Sequence, residues 1–228
     1  MTVMSDWLRN LLLVGLTFAA GCVDAISYLA LGRVFTANMT GNIVLLALDV
    51  AQSMGPQTRR SVVALVAFAA GVAIAALVGQ ARAKEEVWPA RTTLALAMEA
   101  ALLAGFAAVW WSVQRPPDEV RALVLVALFG LAMGVQSATA RQLAVRGVST
   151  TFVTGTLTTL VSDIVTLAGP PGGWSLNASV LIALLLGAVV DGVAEVHAPS
   201  VAAALPAAIV VLVVAAAVAG FRESHGRH

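Results

Sequence analysis

Six stretches of this chain are each about as long as a helix needs to cross a bilayer, roughly 20 apolar residues, and they dictate almost everything else. They cover residues 11–31, 61–82, 92–111, 120–143, 176–196 and 201–221. Only 11% of the 228 residues are charged and 60% are apolar, against roughly 25% charged in a soluble domain. The expected fold is therefore all-α, a polytopic transmembrane bundle forming a single membrane domain over residues 1–228. Trp7, Trp88, Trp110, Trp111 and Trp174 fall at the ends of these stretches, where an indole can sit at headgroup level.

Composition excludes several function classes. The net charge is +1, and every basic side chain except Lys84 is arginine, so there is no broad basic surface for nucleic acid. Cys22 is the single cysteine and the three histidines are His197, His225 and His228. No disulfide, thiolate cluster or metal site is expected, and no cofactor is implied. Ala19-Ala20-Gly21-Cys22 has the look of a lipoprotein cleavage box. The apolar run continues past it to Leu31 with only Arg9 as an upstream basic residue, so it is read as part of a first span.

Two segments break the pattern. Residues 33–42 are polar and lead into a short apolar run over 43–51; residues 148–156 are polar and lead into 157–167, which is interrupted by Ser162 and Asp163. The two align. Val34, Thr36, Thr40, Gly41 and Asp49 match Val148, Thr150, Thr154, Gly155 and Asp163 at one constant offset, while Gly21 falls near Gly134 and Gly71 near Gly187 with small slippage. Each half then reads as span, polar break with short helix, span, span, giving one repeat over 11–112 and another over 120–221.

Three spans per half implies that the second half enters from the opposite side, making the repeats inverted and the short helices re-entrant. If the short helices cross instead, there are eight spans and parallel repeats. With six spans, Arg9, Arg82, Lys84, Arg91, Arg141, Arg146, Arg222 and Arg227 share one side, and Arg33, Arg59, Arg60, Arg115 and Arg121 share the other. The positive-inside rule then favours six spans with cytoplasmic termini. Gly71, Ala75 and Gly79 lie four apart, as do Gly130 and Gly134, a spacing that lets helices pack closely in lipid.

Non-helical backbone inside a membrane must be buried in protein or line a watery cavity. Thr40-Gly41-Asn42 and Thr154-Gly155-Thr156 look like helix starts, with Thr or Asn able to cap exposed amides. Two such starts meeting near the midplane would form a solute site. The candidate binding residues are Asp24, Tyr28, Asn38, Thr40, Gly41, Asn42, Gln136, Ser137, Thr151, Thr154, Gly155 and Thr156. Acids within apolar stretches are expensive and usually have a task. Asp24, Asp49, Glu99, Asp163 and Asp191 are therefore candidates for coupling solute movement to protons, with Asp24 foremost because Ser27, Tyr28 and Asn38 lie near it in sequence.

Gly21-Cys-Val-Asp-Ala-Ile-Ser-Tyr28, followed by Phe35-Thr-Ala-Asn-Met-Thr-Gly-Asn42, resembles the opening signature of the YoaK-type family of bacterial membrane proteins. Gly134-Val-Gln-Ser-Ala138 and Thr151-Phe-Val-Thr-Gly-Thr-Leu157 resemble its second signature, and the likeness covers nearly the whole chain. Cys22 and Ser137 depart from it. The resemblance implies a membrane domain of unknown function, with transport often supposed.

No Ser-His-Asp set, His-Glu-x-x-His motif or phosphate loop occurs, so no enzyme is expected. The expected role is secondary transport of a small polar or charged solute across the bilayer, with a second copy of the chain as a further potential partner. The alternatives are a membrane scaffold or accessory subunit and, behind it, an intramembrane enzyme.

Overall fold

The computed structural model describes residues 3–52, 55–79, 90–113, 116–143, 153–166 and 173–225. These form eight helices: α1 (Val3–Ala30), α2 (Met39–Ala51), α3 (Pro56–Gly79), α4 (Ala90–Ser112), α5 (Glu119–Gln142), α6 (Val153–Thr166), α7 (Gly173–His197) and α8 (Pro199–His225). Six are long and apolar enough to cross a membrane, and each coincides with one of the six apolar stretches. α2 and α6, with 13 and 14 residues, are the short helices placed after the polar breaks. Both begin earlier than the apolar runs suggested, because each takes its Thr-Gly pair into the first turn.

Contacts between the long helices fix their directions. Phe18 on α1 lies against Gly187 on α7, and Leu29 lies near Gly192, so α1 and α7 run parallel. Leu8 and Gly15 face Gly220 and Val213 on α8, which therefore runs antiparallel to α1. Between α3 and α5 the pairs are Arg60 with Glu119, Gly71 with Leu131 and Gly79 with Gln142, again a parallel pair. The end of α4 meets the start of α8, where Trp110 Nε1–H donates to the Pro199 carbonyl (3.2 Å).

α1 and α5 are antiparallel. Arg60, paired with Glu119 at the start of α5, donates to the Leu31 carbonyl at the end of α1 (3.4 Å), while Gln136 late in α5 donates to Leu16 early in α1 (2.9 Å). Gln57 near the start of α3 also donates to the Arg33 carbonyl (2.9 Å). The chain thus arrives at α3 on the same face of the bundle on which α1 ended, and α2 does not carry it across. One face gathers the starts of α3, α5 and α8; the other, called here the terminal face, gathers the start of α1 and the end of α8.

In lipid, apolar side chains gain little by leaving the solvent, so close packing must hold helices together. Two crossings do this through glycine. A Cβ at Gly21 would collide with the Leu184 carbonyl and one at Gly187 with the Phe18 carbonyl; on the other side of the bundle, Gly71 and Gly134 meet the carbonyls of Leu131 and Phe68. Among the described residues α1 packs on α7, α8 and, more lightly, α5, while α5 packs on α3 and α4. Between these groups lies a core that includes Leu16, Ile26, Phe106, Phe129 and Trp110. Phe106 stacks on both Phe129 and Trp110. Trp7 and Trp111 are exposed as expected of interfacial indoles, whereas Trp110 turns inward.

Candidate functional site

The site is built from the chain reversal after α1. Gly32 and Arg33 both take left-handed backbone angles (φ 87° and 58°), folding the chain back along α1. Its return is fixed by a carboxylate. Asp24 Oδ1 accepts from Thr36 N–H (2.9 Å) and Ala37 N–H (2.7 Å), and Oδ2 accepts from Asn38 N–H (3.1 Å). Asp24 lies six residues before Ala30, or roughly 9 Å inside the end of α1 at 1.5 Å per residue. α2 therefore starts at depth and rises toward the face from which α3 departs.

Three further interactions hold this loop. Asn42 clasps the Phe35 backbone, accepting from its N–H (2.9 Å) and donating to its carbonyl. Ser27 Oγ donates to the Val23 carbonyl (2.7 Å) and lies 2.9 Å from Thr36 Oγ1. The cap of α2 is Asn38, whose Oδ1 accepts from Gly41 N–H (3.2 Å). The cap thus stands two residues earlier than Thr40, because an Asn side chain reaches the third amide of the helix from just outside it.

The starts of α2 and α6 face one another across a cavity of about 490 Å³. Phe35, Asn38, Thr40 and Gly41 line it from one side, and Val153, Thr154 and Gly155 from the other, with Val44 and Leu45 completing the wall. No charged side chain lines it. Its polar groups are the hydroxyls of Thr40 and Thr154, the Asn38 amide and the backbone of two helical first turns, whose dipoles carry partial positive charge. A Cβ at Gly155 would meet open space, whereas one at Gly41 would press on Phe35 (3.0 Å) and Asn38 (3.2 Å).

Of the candidate binding residues, Asn38, Thr40, Gly41, Thr154 and Gly155 come together at this cavity. Asn42 and Thr156 are buried behind it, on the sides of α2 and α6 turned from the open surface. Asp24 supports the loop from below, and Tyr28 stacks on Phe35 at 5.1 Å. Gln136 is buried between α5 and α1 with its amide on Leu16, and the half-buried Ser137 follows it; neither lines the cavity. Thr151 lies outside the described residues. The apolar lining, Phe35, Val44, Leu45 and Val153, was not among the candidates. Phe35 could have been found, since it opens the signature that ends in Thr40-Gly41.

The acids separate into two kinds. Asp49 and Asp163 are half-buried toward the far ends of α2 and α6. Glu99 on α4 and Asp191 on α7 are fully buried, and none of their carboxyl oxygens has a hydrogen-bond partner among the described residues. Asp191 is within electrostatic range of Cys22 and Glu195. No group of three His, Cys, Asp or Glu residues that could hold a metal ion occurs among the described residues.

No solved structure matches this chain. It is 44% identical over 156 residues to the transmembrane protein YoaK of Bacillus subtilis (strain 168), a match covering 68% of this chain and 67% of that one. The family model described as "Protein of unknown function (DUF1275)" matches residues 12–217. With six apolar helices of spanning length, the chain is a multi-pass membrane protein and belongs to this YoaK-type family.

Proposed function

We propose that this protein is a secondary transporter for a small polar solute, which binds where the starts of α2 and α6 meet. The observation that carries the proposal is the shared cavity, bordered by Thr40-Gly41 and Thr154-Gly155. Its volume of about 490 Å³ falls within the 300–1,000 Å³ typical of small-molecule sites. Helices that start at depth and turn their positive dipole ends and threonine hydroxyls to a neutral cavity suit a solute rich in hydrogen-bond acceptors.

On this reading the chain is two inverted repeats with α2 and α6 as re-entrant helices. Support comes from the antiparallel run of α1 and α5 and from the two glycine crossings. Gly21 meets α7 at Leu184 and Ala188 just as Gly134 meets α3 at Phe68 and Val72, so each contact of one half has its counterpart in the other. Arg9, Arg91 and Arg141 fall toward the terminal face, and the positive-inside rule then makes that face cytoplasmic in a bacterial inner membrane.

Proton coupling, on the same reading, belongs to Glu99 and Asp191. A carboxyl with no hydrogen-bond partner can change protonation without dismantling structure, whereas the oxygens of Asp24 hold three amides in place. The test is uptake into proteoliposomes across a panel of small polar solutes and pH values. Wild-type protein should accumulate at least one solute, Gly155→Trp should abolish that uptake by filling the cavity, and Glu99→Gln or Asp191→Asn should remove its pH dependence. Uptake unaffected by Gly155→Trp would rule out the cavity as the site.

A further inference from the structure

α6 carries two different exposed faces. Thr154, Thr158, Ser162 and Thr166 recur every fourth residue and so follow one another along one side of the helix. All four are exposed. Val161 and Val165 are exposed beside and among these hydroxyls, Leu157 and Ile164 are exposed on another side, and Thr156 is buried on the side packed against α7. Thr158 and Thr166 donate their hydroxyl protons to the carbonyls of Thr154 and Ser162 (2.8 Å each), leaving the oxygens outward. Along this face lies an open hollow of about 500 Å³, bordered by α6 alone through Leu157, Thr158, Val161, Ser162, Val165 and Thr166. It follows on along α6 from the cavity bordered by Thr154 and Gly155.

The matching positions of α2 differ. At the offset that pairs Thr40 with Thr154, Thr158 and Ser162 correspond to Val44 and Leu48. Val44, 55% exposed, gives the central cavity an apolar wall, and Leu48, 51% exposed, suits lipid or a dry contact. Four consecutive hydroxyl positions would gain nothing from facing acyl chains, which offer outward oxygens no donor.

We propose that the hydroxyl face of α6 lines a water-filled route from the central cavity to the terminal face, and that the α2 side has no such route. The described conformation is then open toward the terminal face and closed on the other. What moves along the route rests on the transport reading, but the presence of water does not. The solute class that fits is small and able to accept hydrogen bonds, passed between hydroxyls and water without meeting a fixed charge until Asp163, which is half-buried on the same helix.

Cysteine accessibility tests this. In a Cys22→Ala background, Thr154→Cys, Thr158→Cys, Ser162→Cys and Thr166→Cys would be treated in membrane vesicles of either orientation with a charged, membrane-impermeant methanethiosulfonate. Ile164→Cys, Ile43→Cys, Leu48→Cys and Val50→Cys, exposed positions that border neither cavity, are the comparison set, and labelling after denaturation confirms that every variant is present. The four hydroxyl positions should react at least about tenfold faster than the comparison set, because the reactive thiolate forms only where water reaches. They should do so from the terminal face. Equal sluggishness at all eight positions would overturn the proposal, as would disulfide-linked dimers through Thr158→Cys or Ser162→Cys without labelling, which would place this face between two copies. Fast labelling with no uptake of any panel solute would keep the water route and remove the transport reading.

Discussion

α2 and α6 each follow one of the two polar breaks in the chain and present different surfaces. Both begin with a Thr-Gly pair at the shared cavity, and both pack one side against the long helix that follows, α3 or α7. Beyond the first turn they part. α2 turns Val44 and Leu48 outward where α6 turns Thr158 and Ser162. The sequences before them also differ: Asp24, which ties down the approach to α2, stands three residues past Gly21, whereas the residue three past Gly134 is Ser137. A serine hydroxyl cannot accept from three amides. One short helix is thus anchored at its start and turns apolar side chains outward; the other turns hydroxyls as well as apolar side chains outward.

Removing the anchor should have the largest effect. Asp24→Ala leaves three amides at Thr36, Ala37 and Asn38 without their acceptor, at about 1–3 kcal/mol for each one kept from water. A loss of about 3 kcal/mol or more in thermal unfolding of the detergent-solubilised protein is expected. A loss no larger than the roughly 0.5 kcal/mol of an ordinary surface substitution would show that the carboxylate does not anchor the loop.

Exchanging the faces comes next. Thr158→Val with Ser162→Leu gives α6 the outward surface of α2. Uptake of a transported solute should fall at least about tenfold, equivalent to about 1.4 kcal/mol in the rate-limiting barrier, with folding preserved because both positions are exposed. The converse change on α2, Leu48→Ser, should leave uptake within about twofold, since a shift of a few tenths of a kcal/mol is all that exposed substitutions usually bring. The smallest effects are at the two glycines. Gly41→Ala presses on Phe35 and Asn38 and should cost about 1 kcal/mol, while Gly155→Ala enters open space and should stay within about 0.5 kcal/mol. Both are readable as shifts in melting temperature, and a larger cost at Gly155 would mean that the cavity is filled there.

Much of the fold was legible because membrane spans are written in hydropathy. All six apolar stretches became helices, and the two polar breaks were visible as polarity between them. Thr40-Gly41 and Thr154-Gly155 were found by their equivalence, which required no knowledge of distance. What stayed hidden depends on direction in space. Asp24 looked like a free intramembrane acid, and only the reversal at Gly32 and Arg33 brings three amides onto it. Gln136 is close in sequence to the second break but turns away from the cavity toward Leu16. The hydroxyl face of α6 was present as a four-residue spacing, yet its meaning appears only beside Val44 and Leu48 and the hollow that runs along it.

The central claim is that two short helices enter from opposite faces and meet at their starts. Pulsed electron paramagnetic resonance on spin-labelled cysteine pairs, in the Cys22→Ala background and in lipid nanodiscs, measures this directly. Labels at Thr40 and Thr154 should lie well inside the hydrocarbon core, which is about 30 Å thick, and much closer together than labels at Gln52 and Thr166. The second pair should be separated by a distance approaching that thickness. A Thr40–Thr154 separation as large as that between Gln52 and Thr166 would contradict the account.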